Sequence, residues 1–134
     1  MSDLELVMQS FELAGERVGD IAPAAYEAYF ERCPESRALM RFVDDHMRGR
    51  MMQQVLLVLM GDSADAGPDY LSFETRTHVS YGVEPHMYAN LLTAVRDCVQ
   101  RALGSQWNDA YAAAWDTRLS HLLTEIVAAS PGAA

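Results

Sequence analysis

MYANLLTAVRDCVQRAL, residues 87–103, and WNDAYAAAWDTRLSHLLTEI, residues 107–126, decide the fold class of this chain. In both stretches the large apolar residues recur every three or four positions, the spacing that places them on one face of an α-helix. Gly104 lies between the two stretches and is typical of a helix end. Elsewhere the apolar residues keep this spacing, and the strict alternation of a β-strand never persists. We therefore predict an all-α fold of about six to eight helices.

Capping and turn-forming residues divide the rest of the chain into further helices. Ser2 or Asp3 is suited to cap a first helix, and Asp20 to cap a second. Pro34 ends the second helix and begins a short third one, because the residue before a proline is disfavoured in the helical conformation. The remaining predicted segments are a long helix after Asp44 and Asp45, a loop at 61–69, a short helix at about 70–78 and a frayed tail at 130–134.

Length and cysteine content indicate one self-sufficient domain spanning residues 1–134. A chain of 134 residues buries enough surface to fold without disulfides or structural zinc. Cys33 and Cys98 form no CxxC pattern, so we predict that both are reduced core residues. The first ten residues lack the features of a signal peptide, and no apolar run approaches the ~20 residues of a transmembrane helix. We expect a cytoplasmic protein.

The charge balance excludes two classes of partner. Nineteen acidic and ten basic residues give a net charge of -9. Such a surface repels nucleic-acid phosphates and anionic lipid headgroups. We therefore expect no nucleic acid and no membrane among the partners.

The stretch THVSYGVEPHMY, residues 77–88, is the most informative motif in the chain. Counted from His78, other residues follow at set distances: Gly82 and Val83 at four and five positions, Tyr88 at ten, Gly104 at twenty-six and Trp115 at thirty-seven. These intervals resemble those of bacterial haemoglobins without a gap. Residues 26–40, YEAYFERCPESRALM, resemble the second and third globin helices. The resemblance covers nearly the whole chain and implies a globin fold around a haem pocket.

The resemblance implies haem b as cofactor and His78 as the proximal iron ligand. Haem is a flat apolar disc with two carboxylates, so it needs an apolar slot, one axial nitrogen and an open edge. Neutral imidazole is a good iron ligand. Val83, Leu91 and Val95 are expected to line the proximal side, and Tyr88 matches a tyrosine close to the proximal histidine in bacterial globins.

On the distal side the resemblance points to Tyr26, eight residues before Pro34. Many bacterial globins place a tyrosine there, whose hydroxyl donates a hydrogen bond to bound dioxygen and slows its release.

Two alignments compete for the residue that faces the sixth iron site. Counting 32 residues back from His78 gives His46, but that phase turns Arg50 into the apolar pocket. Following the apolar stripe gives Met47, with Met51 one turn later. We favour Met47, because burying an unpaired charge is costly. Either Met47 or His46 could serve as an internal sixth ligand.

The corner after the third helix departs from the family pattern. The family places a phenylalanine on the haem face there, whereas the position six residues after Pro34 is Met40. Phe42 takes the role if the corner is shorter than usual. Candidate partners of the haem carboxylates are Arg41, Arg48, Arg50 and Arg76.

Three functions are compatible with these residues. The first is reversible binding of dioxygen or another diatomic gas, such as nitric oxide or carbon monoxide. The second is a nitric oxide dioxygenase, which needs an external reductase because no flavin or nicotinamide domain fits in 134 residues. Ser130 stands where flavohaemoglobin-like proteins carry a glutamate beside the proximal histidine, which weakens this reading. The third is a haem-free globin-fold sensor or interaction module. A homodimer through the last two helices stays open.

Overall fold

A computed structural model describes residues 1–60 and 85–129. These residues form six α-helices and no strand, so the predicted all-α class is confirmed. The predicted helix at 70–78 and the tail at 130–134 lie outside the described residues. The helices are α1 (Asp3–Val18), α2 (Ala22–Arg32), α3 (Pro34–Leu39), α4 (Asp45–Met60), α5 (Pro85–Leu103) and α6 (Asp109–Ala129), with a 3-10 turn at Gly104–Gln106.

The helix ends lie where the capping residues predict them. The Ser2 hydroxyl accepts a hydrogen bond from a first-turn N–H of α1 at 3.1 Å. Asp20 accepts one from the first N–H of α2 at 2.9 Å, and Asp44 accepts one from the first turn of α4 at 2.8 Å. Pro34 is the first residue of α3, where its missing N–H costs nothing. Gly104 follows the end of α5 and has a φ of 55°, a backbone conformation that residues other than glycine rarely adopt.

The core lies between α1, α5 and α6 on one side and between α2 and α5 on the other. Trp115 on α6 is fully buried, and its indole Nε1 donates to the Ser10 hydroxyl on α1 at 2.8 Å. Ser10 in turn donates to the Val7 carbonyl at 2.7 Å. The predicted core positions of the last two helices are buried as follows: Met87, Leu92, Val95, Cys98, Val99, Leu103, Tyr111, Trp115, Leu119, Leu122 and Ile126.

On α1 the predicted buried face needs a correction. The helical spacing of the apolar residues puts Met8 and Val18 on the predicted inward face of α1, but they are 38% and 58% exposed. Ser10 is fully buried because it supplies the acceptor that the Trp115 indole requires. The predicted burial of Cys33 and Cys98 is confirmed, and both thiols are free.

None of the described helices has both the length and the hydropathy needed to cross a bilayer.

Candidate functional site

Four side chains from three helices meet beside the first turn of α4, and we call this cluster the Tyr26 corner: Tyr26 and Phe30 from α2, Arg37 from α3 and Arg48 from α4. The Tyr26 and Phe30 ring centroids are 6.2 Å apart. The Arg48 guanidinium carbon lies 5.3 Å from the Phe30 centroid and 6.0 Å from the Tyr26 centroid. The Arg37 guanidinium lies 4.9 Å from the Phe30 centroid. The corner therefore combines two aromatic rings with two cations.

Local sequence explains how the corner is assembled. Tyr26 and Phe30 are four residues apart, so they lie on the same face of α2. Pro34 starts α3 immediately after α2, which brings Arg37 back beside Phe30. The Asp44 carboxylate caps α4, and the Arg48 N–H bonds to the Asp44 carbonyl at 2.9 Å. That cap fixes where α4 begins, and the two rings from α2 then receive the Arg48 guanidinium.

Tyr26 supplies a protonated hydroxyl inside the corner. Its side chain is 1% exposed, and burial raises the pKa of Tyr26 to about 12, against a smaller lowering by the Arg48 charge. The hydroxyl donates to the backbone carbonyl of Arg48 at 3.2 Å. Hydroxyl hydrogen bonds usually measure about 2.7–2.8 Å, so this bond is long. The Tyr26 proton is therefore available to a better acceptor.

Arg48 carries hydrogen-bonding capacity that the described part of the chain does not use. The residue is half-buried, and its buried Nε has no hydrogen-bond partner among the described residues. The aromatic rings compensate part of the cost of burying the charge, because a cation over a ring face is attracted by the ring electrons. A carboxylate or another anion would satisfy the Nε–H with a charge-assisted hydrogen bond.

The position of Met47 corrects the expected phase of α4. Met47 was expected to head the buried stripe, but it is 47% exposed, and His46 is also exposed. The inward face instead carries Arg48 and the buried Met52, with Met51 half-buried beside them. Sequence reasoning disfavoured a buried charge on α4, yet Arg48 is accommodated because aromatic rings from α2 receive it. The sixth-site roles of Met47 and His46 stay predictions.

Of the two candidates in the corner after α3, Met40 occupies the buried position. Met40 is 8% exposed, whereas Phe42 is 83% exposed and lies under the Arg41 guanidinium at 4.8 Å. The turn after Leu39 therefore directs Met40 inward and Phe42 outward. Contact of either residue with haem stays a prediction.

The proximal residues are only partly described. Val95 on α5 is fully buried, and Tyr88 and Leu91 on the same helix are half-buried against the core. Because α5 packs against α2, these residues lie on the helix adjacent to the one that carries Tyr26. His78, Val83, Arg76 and Ser130 lie outside the described residues, and the other candidate cations, Arg41 and Arg50, are exposed.

Sequence reasoning missed a buried polar group next to the Tyr26 corner. Ser36 on α3 is 1% exposed, and its hydroxyl lies 2.6 Å from the Tyr29 hydroxyl and 3.2 Å from the Cys33 sulfur. His86, at the start of α5, lies 2.7 Å from the Glu35 carboxylate. Helical periodicity gives no signal for either contact, since polar side chains contribute nothing to an apolar pattern.

No protein-family model matches the chain. No curated protein matches it either. The resemblance to bacterial haemoglobins therefore depends on the residues and intervals quoted above, and it stays an expectation.

Proposed function

We propose that the chain is a haem-binding globin that reversibly binds dioxygen or another diatomic gas. The observation that carries the proposal is the buried hydroxyl of Tyr26. Tyr26 lies on α2, which ends just before Pro34, and its hydroxyl contacts the first turn of α4. The resemblance to bacterial haemoglobins implies a hydrogen-bond donor at this position. Haem b supplies the iron that binds the gas. Nitric oxide consumption by the same haem, with electrons from an external reductase, is the enzymatic form of this proposal.

The described residues offer part of what haem requires of a pocket. Half-buried apolar side chains lie on α4 and α5, at Met51, Val55, Leu56, Tyr88 and Leu91. Such side chains suit a flat apolar disc. Arg48 offers an unused buried Nε–H that suits one of the two haem carboxylates. These side chains support the haem proposal, and His78, the proposed iron ligand, lies outside the described residues.

Within this proposal Tyr26 stabilises the bound gas. Its hydroxyl would leave the long 3.2 Å bond to the Arg48 carbonyl and donate to the diatomic ligand. The raised pKa of Tyr26, about 12, keeps the proton in place at neutral pH. A donor of this kind slows the release of dioxygen, which carries partial negative charge when it is bound.

The deciding experiment is titration of the purified chain with haem, followed by visible spectra in the ferric, ferrous and ferrous carbon monoxide forms. We expect one haem per chain and a spectral shift with carbon monoxide. His78→Ala should abolish stoichiometric binding, whereas the control His121→Ala should bind normally, since His121 is exposed on α6. Failure of the unmodified chain to bind haem would reject the proposal, and a normal complex of the His78→Ala variant would reject the ligand assignment.

The role of Tyr26 is tested by the rate of dioxygen release from the ferrous complex. Tyr26→Phe should speed release by several-fold because the donor is lost. Tyr29→Phe is the matched control: its hydroxyl is also buried, but it contacts Ser36. An unchanged rate for Tyr26→Phe, or equal acceleration by both variants, would remove Tyr26 from this role.

A haem-free sensor or interaction module is the second candidate, and the position of Arg48 favours it. The guanidinium lies over the Tyr26 and Phe30 rings, whereas Met47, which was expected to face the ligand, is exposed. In such a module the cation and rings serve as packing between α2 and α4. The haem titration separates the two candidates, because the module would give no stoichiometric complex.

A further inference from the structure

A second cluster of side chains, separate from the Tyr26 corner, lies where the junction of α2 and α3 meets the start of α5. Three side chains with different donor atoms converge there: the thiol of Cys33, the carboxylate of Glu35 and the imidazole of His86. Their donor atoms all lie within 4.8 Å of one another. Glu35 and His86 are 51 residues apart in sequence, and their side chains are 2.7 Å apart. The convergence is therefore a product of the fold and not of local sequence.

We propose that Cys33, Glu35 and His86 form a binding site for a single zinc-type divalent metal ion, with solvent completing a tetrahedral set. One thiolate and one carboxylate balance the two positive charges of the metal. Thiolate and imidazole together favour zinc and neighbouring transition metals over magnesium and calcium, which prefer oxygen ligands.

The spacing of the donors suits such an ion after a small adjustment. Zinc bonds of about 2.0–2.3 Å in tetrahedral geometry hold their donor atoms roughly 3.4–3.8 Å apart. The contact between Glu35 and His86 must open from 2.7 Å, and donors at up to 4.8 Å must close by about 1 Å. The side chains of Glu35 and His86 are 54% and 47% exposed, so both have room to turn. Their exposure also leaves an entry path for the ion.

The sulfur is the fixed member of the set. Cys33 is 2% exposed, its N–H bonds to the Tyr29 carbonyl at 2.8 Å, and its carbonyl accepts from the Ser36 N–H at 3.0 Å. The Ser36 hydroxyl lies 3.2 Å from the sulfur and 2.6 Å from the Tyr29 hydroxyl. These contacts hold the sulfur in place beside Glu35 and His86. Metal is bound by the thiolate form of cysteine, so an ion at this site displaces the Cys33 thiol proton.

The chain contains a matched control for each of two ligands. Cys98 is also buried and free, but it is not in the cluster. His121 and Glu125 form a histidine–carboxylate pair at 3.1 Å on α6, with His121 exposed and Glu125 half-buried, and neither belongs to the Cys33 cluster. The proposal requires the thiol, so the second pair should not bind zinc comparably.

The test is calorimetric titration of the full chain, purified without a polyhistidine tag and kept reduced, with zinc chloride. We expect one ion per chain. Cys33→Ser, Glu35→Gln and His86→Gln should each weaken binding by at least about tenfold, whereas Cys98→Ser and His121→Gln should leave it unchanged. Cobalt chloride should give a thiolate-to-metal absorption band that disappears in Cys33→Ser.

Several outcomes would overturn the site. They are zinc binding no tighter than about 1 mM, a cobalt complex without the thiolate band, or a loss of binding caused by His121→Gln and not by His86→Gln. If Cys33→Ser fails to fold, the exposed Glu35→Gln and His86→Gln variants and the cobalt band decide the matter. None of the three ligands is assigned to haem, so the zinc and haem proposals fail or succeed independently.

Discussion

Two regions of the molecule bury polar groups: the core around Trp115, Ser10 and Val7, and the Tyr26 corner. They differ in how completely those groups are hydrogen-bonded. In the core, the Trp115 indole donates to Ser10 at 2.8 Å, and Ser10 donates to the Val7 carbonyl at 2.7 Å. In the corner, Tyr26 makes one long bond of 3.2 Å, and the Arg48 Nε has no partner among the described residues. Buried polar groups in folded proteins are usually satisfied, and exceptions concentrate at functional sites. The core groups are therefore satisfied within the fold, whereas the corner has hydrogen-bonding capacity that the described residues leave unused, as the ligand role proposed above requires.

The largest effect should follow removal of the core aromatic. Trp115→Ala deletes a fully buried indole and should lower the free energy of unfolding by about 3–5 kcal/mol. Trp107→Ala is the control, because Trp107 is only half-buried, and its cost should be clearly smaller. Urea unfolding followed by circular dichroism measures both. Equal costs for the two variants would show that Trp115 does not anchor the core.

The next effect concerns the hydrogen bond within the core. Ser10→Ala leaves the buried Trp115 N–H without its acceptor and should cost about 1–3 kcal/mol. In a Trp115→Phe background the donor is absent, so the same substitution should cost less. The exposed Ser120→Ala variant provides the reference for a serine on a helix surface. Additive costs in the double variant would contradict the bond.

Much of the fold could be predicted from the sequence because helices and their ends are local. Ser2, Asp20 and Asp44 cap helices through nearby N–H groups, and the aromatic residues Tyr26 and Trp115 stand out on periodic apolar faces. These signals need no knowledge of the tertiary arrangement.

The parts that sequence reasoning missed depend on distant contacts. Met47 and Arg48 are adjacent on α4, and which of them faces inward is decided by rings from α2 that attract the guanidinium. Met40 and Phe42 lie in or beside a short turn, where periodicity gives no phase. His86 reaches Glu35 across 51 residues of sequence. None of these contacts can be inferred until the packing of the helices against one another is known.

Arg48→Met should have a small effect on stability, in contrast to the core substitutions. The variant loses the attraction of the guanidinium for two rings, about 0.5–1 kcal/mol for such contacts. It also removes the cost of a buried Nε–H without a partner, which acts in the opposite direction. The free energy of unfolding should therefore change by less than about 1 kcal/mol. Arg50→Met, at an exposed position, is the control, and a loss above about 2 kcal/mol at Arg48 would show that it stabilises the fold.

Near neutral pH the Tyr26 hydroxyl should have the smallest effect on stability, and its larger effect, confined to alkaline pH, follows from its burial. In the folded chain burial raises its pKa from the ordinary 10.0 to about 12, so between these values the unfolded chain binds fewer protons than the folded one. The free energy of unfolding therefore falls as pH rises from about 10 to about 12.

Tyr26→Phe removes this contribution, because the variant has no proton to lose at that position. We expect its unfolding free energy near pH 8 to lie close to that of the unmodified chain, since the lost bond is long, and to fall less between pH 10 and 12. Tyr29→Phe is the control, because burial also raises the pKa of Tyr29 and its removal leaves the Tyr26 share of the decline intact. Urea unfolding at a series of pH values measures the slopes. A decline in Tyr26→Phe as steep as in the unmodified chain would mean that the Tyr26 hydroxyl is reached by solvent, and the corner would then differ from the core in exposure and not in bonding.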